Sequence, residues 1–401
     1  MKLLYACADP GIPLDGDKGA SVHVRQTLDA LARSGVELLV LAARPGRPGA
    51  VAAPVLTASS PERLGVKGGG TIAAEAAAIA AARELAAAAP LAPGDVDLVY
   101  ERYSLWSLGG AMLAERLAVP LVLEVNAPLV DEQARYRGLA LAEVAAGIER
   151  DVARRAAAVL CVSSSLRDRI ARLRGGDEGV HLFPNAVDTD RFRPHPARGE
   201  TERGDARPTI VFTGSFKPWH GVQDLLDAFA RAFGPVGRAR LLLVGDGPER
   251  RRLEERALSL GIRPHVEFTG AVSHERIPAL LADADIAAAP YPPVSDFYFS
   301  PLKVGEYMAA GLPVVASSCG DLDPLLRDGE SAVRVPPGDV GSLASALGRL
   351  AADPGLRRRL GEAARRIAVE HLSLAGSTDR LLRLLEQVRG ARPEKGRAGA
   401  P

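Results

Sequence analysis

Short apolar runs alternate with amphipathic stretches along most of the chain. In the first half this pattern predicts strands at 2–7, 36–42, 97–100, 120–125, 158–162 and 180–183, and helices at 20–34, 72–89 and 141–157, with a further helix after 162 that residues 163–165 can cap. In the second half it predicts strands at 209–213, 240–244, 265–268, 285–288 and 313–316, and helices at 222–233, 248–260, 274–283, 341–352, 355–371 and 375–390. Such alternation is typical of parallel sheets with right-handed crossovers. We therefore predict an α/β protein with two doubly wound, Rossmann-like domains facing a central cleft.

The length of the chain and its breaker-rich stretches suggest how these domains are divided. A chain of 401 residues is longer than one hydrophobic core usually supports. We predict an N-terminal domain at 1–195, a linker at 196–208 and a C-terminal domain at 209–375. We expect a last helix at 376–390 and a disordered tail at 391–401. Residues 44–70 are rich in Gly, Pro and Ala and predict a loop or mobile lid.

Composition narrows the class of protein and its compartment. The formal net charge is +1, from 50 basic and 49 acidic residues, so nothing global favours a nucleic-acid partner. Cys7, Cys161 and Cys319 are isolated and lack metal-ligand spacing, which predicts buried free thiols in a reducing compartment. No apolar run reaches the length of a membrane span, and we expect a cytoplasmic protein.

The segment 300–316 carries the most specific chemistry. Ser300 can cap a helix and Pro301 suits its first position, so the backbone at the helix start predicts an anion site. Glu306 lies about one turn further on, where a carboxylate can accept hydrogen bonds from a ribose diol. Gly311 can end the helix in a left-handed conformation before a buried strand. The alternative is an ordinary capped helix packed on a parallel sheet.

Three glycine-containing loops follow predicted strands and open helices. They contain Gly19, Gly214 and Gly245, and glycine lets the backbone approach a ligand closely. The loop after Gly214 also carries Lys217 and His220. A lysine there can stabilise the charge on a departing diphosphate, while a solvated surface lysine is the alternative.

Segments 212–221, 244–248 and 299–316 together resemble the retaining glycosyltransferases of family GT4, which have the GT-B fold. The resemblance covers essentially the whole chain. It implies a nucleotide diphosphate sugar as co-substrate, no other cofactor, no metal site, and a last helix that crosses back to the first domain. The nucleotide base could be uridine or guanosine.

The resemblance also implies which residues form the donor site. They are Gly19, Gly214, Ser215, Gly245, Glu267, Phe268, Tyr298, Phe299, Ser300, Pro301, Leu302, Lys303 and Glu306. Three positions depart from the family pattern. Tyr298 stands where the family has its first glutamate, and Ser215 and His220 stand where it has two cations, which makes Lys217 the nearest replacement.

On the acceptor side the candidates are His23, Arg25, Glu101 and Arg102. Asn126 occupies a position where many family members have a histidine, and it joins Lys217 and His220 as a candidate catalytic residue. An asparagine does not titrate, which fits a retaining transfer whose acceptor is deprotonated by the leaving phosphate.

Several alternatives stay open from the sequence. The acceptor hydroxyl could belong to a lipid carrier, a polysaccharide or a small aglycone, and peripheral membrane contact and a monomer or homodimer are compatible with the sequence. A nucleotide-sugar epimerase or phosphorylase could share the scaffold, and so could a nucleotide-sugar-binding protein without catalysis.

Overall fold

The protein was analysed as a computed structural model, which describes residues 1–56, 71–194, 207–294, 297–298, 300–322 and 324–391. The chain forms two compact units. Residues 1–184 and the described residues from 377 onward form the first unit, and residues 185–376 form the second.

The first unit contains a parallel sheet in the order β3-β2-β1-β4-β5-β6-β7. Its strands are β1 (Lys2–Cys7), β2 (Glu37–Ala42), β3 (Val55–Leu56), β4 (Leu98–Arg102), β5 (Leu121–Val125), β6 (Ala158–Cys161) and β7 (Val180–Leu182). Its helices are α1 (Gly19–Arg33), α2 (Ile72–Ala87), α3 (Gly109–Leu117), α4 (Leu129–Tyr136), α5 (Ala142–Arg155) and α6 (Ser164–Arg174).

The second unit contains a parallel sheet in the order β10-β9-β8-β11-β12-β13. Its strands are β8 (Thr209–Thr213), β9 (Arg240–Val244), β10 (Val266–Gly270), β11 (Ile286–Ala289), β12 (Val314–Ser317) and β13 (Ala332–Val335). Its helices are α7 (Val222–Phe233), α8 (Arg250–Ser259), α9 (Ile277–Ala282), α10 (Leu302–Ala309), α11 (Val340–Ala352) and α12 (Pro354–Ile367). A π-helical turn (Ala368–Leu372) then leads to α13 (Leu374–Gly390), which begins in the second unit and continues in the first.

Both sheets have the strand order of a Rossmann-like fold, as the alternating pattern predicted. In each sheet the order reverses between the first and fourth strands, which are β1 and β4 in the first unit and β8 and β11 in the second. Ligands of open parallel sheets bind at the carboxyl ends of the strands beside this reversal. Each unit therefore has one edge where a ligand site is expected.

The division between the units differs from the predicted linker at 196–208. The second unit begins at residue 185, because Val187 pairs with Ser373 and Phe192 is fully buried in the second unit's core. Residues 195–206 lie outside the described residues. Helix α13 buries Leu381 and Leu385 in the first unit's core.

Four other sequence predictions need correction or comment. The predicted loop at 44–70 contains a short strand, β3, which pairs with β2, while residues 57–70 lie outside the described residues. Helices α3 and α4 and strand β13 were not predicted. Cys7 and Cys161 are buried free thiols, but Cys319 is only half-buried. The predicted tail at 391–401 is described only at Ala391. Separately, no helix in the described parts of the chain is long and apolar enough to cross a membrane.

Candidate functional site

Two glycines lie against each other where β8 and β9 end. Gly214 has φ +135° and Gly245 has φ +144°, a region that side chains other than glycine rarely adopt. A Cβ at Gly245 would lie 2.0 Å from the Gly214 carbonyl oxygen, which leaves no space for a side chain. The predicted roles of both glycines stay predictions, but the structure places them together at the carboxyl edge beside the strand-order reversal.

Helix α10 begins at the same edge, one residue later than the capping pattern predicted. Pro301 is the N-cap, so Ser300 lies one residue before the cap position. Ser300 instead accepts a hydrogen bond from the Asn185 backbone N–H at 3.0 Å through its Oγ. Proline has no amide hydrogen, so the candidate anion donors are the amides of Leu302 and Lys303, which have no partner within the helix.

Glu306 is buried one turn further along α10, where it accepts a hydrogen bond from another side chain. His274 Nε2 donates to Glu306 Oε1 at 2.7 Å, and the imidazole packs against Phe192 with ring centroids 5.5 Å apart. This bond fixes the orientation of the carboxylate and leaves Oε2 as the oxygen for a ligand hydroxyl. Gly311 follows the helix with φ +73°, the left-handed conformation predicted for it.

Lys303 is the most unusual side chain of this edge. Its Nζ is buried and has no hydrogen-bond partner in the described parts of the chain, although part of the residue is accessible. The Nζ lies 4.1 Å from the ring centroid of Phe212 and 5.6 Å from that of Tyr291. Burial lowers the pKa of this amine to about 7, against a weaker opposite effect of Glu306.

The two other candidate cations occupy different environments. Lys217 Nζ lies 4.8 Å from the ring centroid of Trp219. His220 is bound through Nδ1 to the carbonyl oxygen of Ser215, and burial lowers its pKa to about 3, with a further contribution from Lys303. A histidine with that pKa is neutral near pH 7, which argues against His220 as a cation.

The remaining donor candidates are less closely grouped. Glu267 lies in the edge strand β10, and its exposed carboxylate forms an ion pair with Arg240 at 3.5 Å. Phe268 packs edge-on against Phe216 with ring centroids 6.2 Å apart. Tyr298 is half-buried outside any helix or strand, and Phe299 lies outside the described residues.

In the first unit, a buried carboxylate brings three of the candidates together. Glu124 Oε1 accepts hydrogen bonds from His23 Nε2 at 2.7 Å, from Arg102 Nη1 at 2.9 Å and from Asn126 Nδ2, while Tyr100 OH donates to Oε2 at 2.6 Å. Despite burial, His23 and these other partners hold the pKa of Glu124 well below its usual value. The cluster lies at the carboxyl ends of β4 and β5, beside the strand-order reversal of the first sheet.

Arg25, Glu101 and Gly19 do not join this cluster. Arg25 Nη1 donates to the carbonyl oxygens of Leu14 and Gly16 at 2.7 and 2.6 Å, so it holds the glycine loop in place. Glu101 alternates with Arg102 along β4 and lies on the opposite face of the sheet, where it accepts a hydrogen bond from Ser107 at 2.6 Å. Burial raises the pKa of Glu101 to about 7. Gly19 is exposed at the start of α1.

Sequence reasoning missed three features of these sites: Glu124, His274 and the side chain of Lys303. A charged residue inside the apolar run of β5 was the available signal for Glu124. Neither His274 nor the direction of the Lys303 side chain has a sequence signal. Among the described residues, no group of three or more His, Cys, Asp or Glu side chains could hold a metal ion.

Two family models match the chain in succession. Residues 18–191 match the model described as Glycosyltransferase Family 4, and residues 207–353 match that described as Glycosyl transferases group 1. The two matches cover both units on either side of residues 192–206.

Individual proteins agree with the family models. An MMP alpha-(1->4)-mannosyltransferase from Mycolicibacterium hassiacum is 33% identical over 296 residues, which is 70% of this chain and 68% of that protein. A GDP-mannose-dependent alpha-(1-6)-phosphatidylinositol monomannoside mannosyltransferase from Mycolicibacterium smegmatis is 32% identical over 64% of this chain and 69% of that protein. The sucrose-phosphate synthase structure from Thermosynechococcus elongatus has a TM-score of 0.77 at 22% identity, covering 98% of this chain and 100% of that chain. The chain therefore belongs to glycosyltransferase family 4 and is a nucleotide-sugar-dependent glycosyltransferase with the GT-B fold.

Proposed function

We propose that this enzyme transfers a sugar from a nucleoside diphosphate sugar to an acceptor hydroxyl with retention of anomeric configuration and without a metal ion. The observation that carries the proposal is the convergence of four features at one edge of the second sheet. Gly214 and Gly245 let the loops after β8 and β9 pack closely at this edge, α10 presents backbone amides there, and Glu306 lies one turn further along. These features suit a diphosphate followed by a ribose.

The bond changes of this reaction balance without an added oxidant, reductant or base. The bond between the anomeric carbon and the donor phosphate oxygen breaks, and a bond from that carbon to the acceptor oxygen forms on the same face. The acceptor proton passes to the oxygen of the leaving diphosphate. Fixed positive charge and backbone amides stabilise the charge that develops on this leaving group.

We assign acceptor binding to the cluster around Glu124 in the first unit. Glu124 fixes the orientations of His23, Arg102 and Asn126, whose remaining polar atoms can bind a hydroxylated acceptor. The buried free thiols Cys7 and Cys161 suit a reducing compartment, which supports a cytoplasmic location.

A donor screen followed by product analysis tests the proposal. Melting curves should be measured with UDP, GDP and their sugars, beginning with GDP-mannose because a relative is named for its dependence on that donor. A ligand at 100 times its dissociation constant should stabilise the protein by about 2.7 kcal/mol. The stabilising donor is then incubated with and without candidate acceptors, and NMR gives the anomeric configuration of the product.

Each outcome of this experiment decides part of the proposal. Slow release of free sugar without acceptor, with an α-linked product from an α-linked donor, would support retaining transfer. Inversion at the anomeric carbon, an epimerised donor, or consumption of inorganic phosphate would contradict it. Absence of any nucleotide effect on melting would remove the donor site.

A further inference from the structure

Lys303 places a buried amine without a hydrogen-bond partner at the donor edge, among the described residues. Its Nζ has no hydrogen-bond partner in the described residues, and Glu306, the acidic side chain one turn away, has one oxygen bound to His274. An ammonium group removed from water costs free energy unless it is paired. The aromatic faces of Phe212 and Tyr291 offset part of this cost.

The amine of Lys303 packs directly against the backbone of the loop after β8. A Cβ at Gly214 would lie 3.0 Å from Nζ, so the absence of a side chain at Gly214 lets the amine lie against this loop. The edge lies at the strand-order reversal, where phosphate-bearing ligands of Rossmann-like sheets bind. At the two positions where the family has cations, this chain has Ser215 and a His220 whose burial favours the neutral form.

We propose that the Nζ of Lys303 binds the donor diphosphate as an ammonium group, a role that the family gives to two cations at the positions of Ser215 and His220. This inference rests on the proposed function and assigns a residue to it. In this chain the cation comes from the first turn of α10, whereas the family places its cations in the loop after β8. One helix therefore supplies the positive charge and the backbone amides for the diphosphate and the carboxylate for the ribose.

The proposal has a consequence that a purely structural lysine would not have. The titratable groups that interact with the amine are His220 from the loop after β8, Tyr291 after β11, and Glu306 on α10. Burial holds the pKa of Lys303 at about 7 in the free protein, and an adjacent diphosphate raises it. We therefore expect binding at pH 8 to be accompanied by proton uptake, up to about one proton per site.

Calorimetry with UDP and GDP at pH 8, repeated in buffers of different ionisation enthalpy, measures both affinity and proton uptake. Lys303→Met should weaken nucleoside diphosphate binding by about 10- to 100-fold and abolish the uptake. The affinity for the corresponding nucleoside should change little. Lys303→Arg should keep part of the diphosphate affinity without proton uptake, because a guanidinium stays charged.

Two controls distinguish diphosphate binding by Lys303 from a general charge effect and from a structural role. Arg251→Met removes an exposed positive charge from the same unit and should leave diphosphate affinity and proton uptake unchanged. Melting of the ligand-free protein tests a structural role. Lys303→Met should keep or raise the melting temperature, since it removes a buried polar group that has no hydrogen-bond partner, whereas a stabilising cation–π role predicts a fall.

The contrary results are equally distinct. Wild-type diphosphate affinity in Lys303→Met would overturn the assignment, as would loss of proton uptake in Lys217→Met but not in Lys303→Met. A lower melting temperature for Lys303→Met with unchanged nucleotide affinity would assign the lysine to structure. In each case nucleotide binding by the wild type would persist, so the proposed function would stand, whereas a wild type that binds no nucleotide would contradict both.

Discussion

Glu124 and Glu101 offer a test of how two buried carboxylates in neighbouring strands affect stability. Glu124 accepts hydrogen bonds from four side chains, and its pKa lies well below the usual value. Glu101 has one side-chain donor, Ser107, and burial raises its pKa to about 7. Replacing each by glutamine preserves size and removes the charge, so the two variants should differ in the sign of their effect on stability and in its pH dependence.

The expected magnitudes follow from these environments. Glu124→Gln leaves the buried guanidinium of Arg102 without its carboxylate, and breaking a buried ion pair costs about 3–5 kcal/mol. The depressed pKa means that the stability from Glu124 is present above the unfolded pKa near 4.5 and is lost as the pH falls below it. Glu101, raised from 4.5 to about 7, lowers stability by about 3 kcal/mol as the pH rises through that interval.

Urea unfolding followed by circular dichroism at pH 5, 6, 7 and 8 measures both effects. Glu124→Gln should be less stable than the wild type at every one of these pH values. The free energy of unfolding of Glu101→Gln should rise relative to that of the wild type from pH 5 to 7, and the difference should stay constant above pH 7. A loss below about 1 kcal/mol for Glu124→Gln, or a pH-independent difference for Glu101→Gln, would refute this account of the two carboxylates.

Four further predictions concern the donor site. Glu306→Ala should raise the dissociation constant for nucleoside diphosphates at least tenfold without unfolding the protein, since a charged hydrogen bond to the ribose contributes about 1.5–3 kcal/mol. Unchanged affinity by calorimetry would exclude Glu306 from the donor site. Activity should persist in excess EDTA because protein cations and amides neutralise the diphosphate, and loss of turnover restored by Mg²⁺ or Mn²⁺ would contradict this. Lys217 should add positive charge whose interaction with the leaving diphosphate strengthens in the transition state, whereas Lys303 acts in donor binding. Lys217→Ala should therefore lower kcat about 10²-fold or more while changing the donor KM less, and Lys217→Arg should recover part of the loss. Because the pKa of His220 is about 3, His220→Ala should not change the shape of the pH–rate profile between pH 6 and 9. If the wild-type rate falls as the pH rises past about 6.5 and His220→Ala loses this fall, His220 would be the cation instead.

The architecture was predictable because alternating strands and helices leave few topologies for a parallel sheet. The boundary was not, because the linker was inferred from the breaker-rich composition after residue 192. The chain enters the second unit earlier, where Val187 exchanges backbone hydrogen bonds with Leu372 and Leu374 at 2.8 Å. Such long-range pairing has no local sequence signal.

The candidate site shows the same limit at the level of side chains. The pattern around Pro301 and Gly311 predicted helix α10 and its end, since these residues act on their own backbone. The direction of Lys303 depends instead on aromatic rings contributed by β8 and by the residues after β11. Likewise, Glu124 became recognisable as the centre of a cluster only when α1, β4 and β5 were brought together.

Tyr307 joins two parts of the donor edge that are far apart in the chain. Its hydroxyl accepts a hydrogen bond from the Thr213 backbone N–H at 2.7 Å and lies 3.1 Å from Thr213 Oγ1, and the ring is fully buried. The bond fixes the turn after β8 to the helix that follows β11 before any ligand binds. The conformational entropy of this edge is therefore lost when the chain folds, and the free energy of donor binding can act on the bond to be broken instead of ordering the protein.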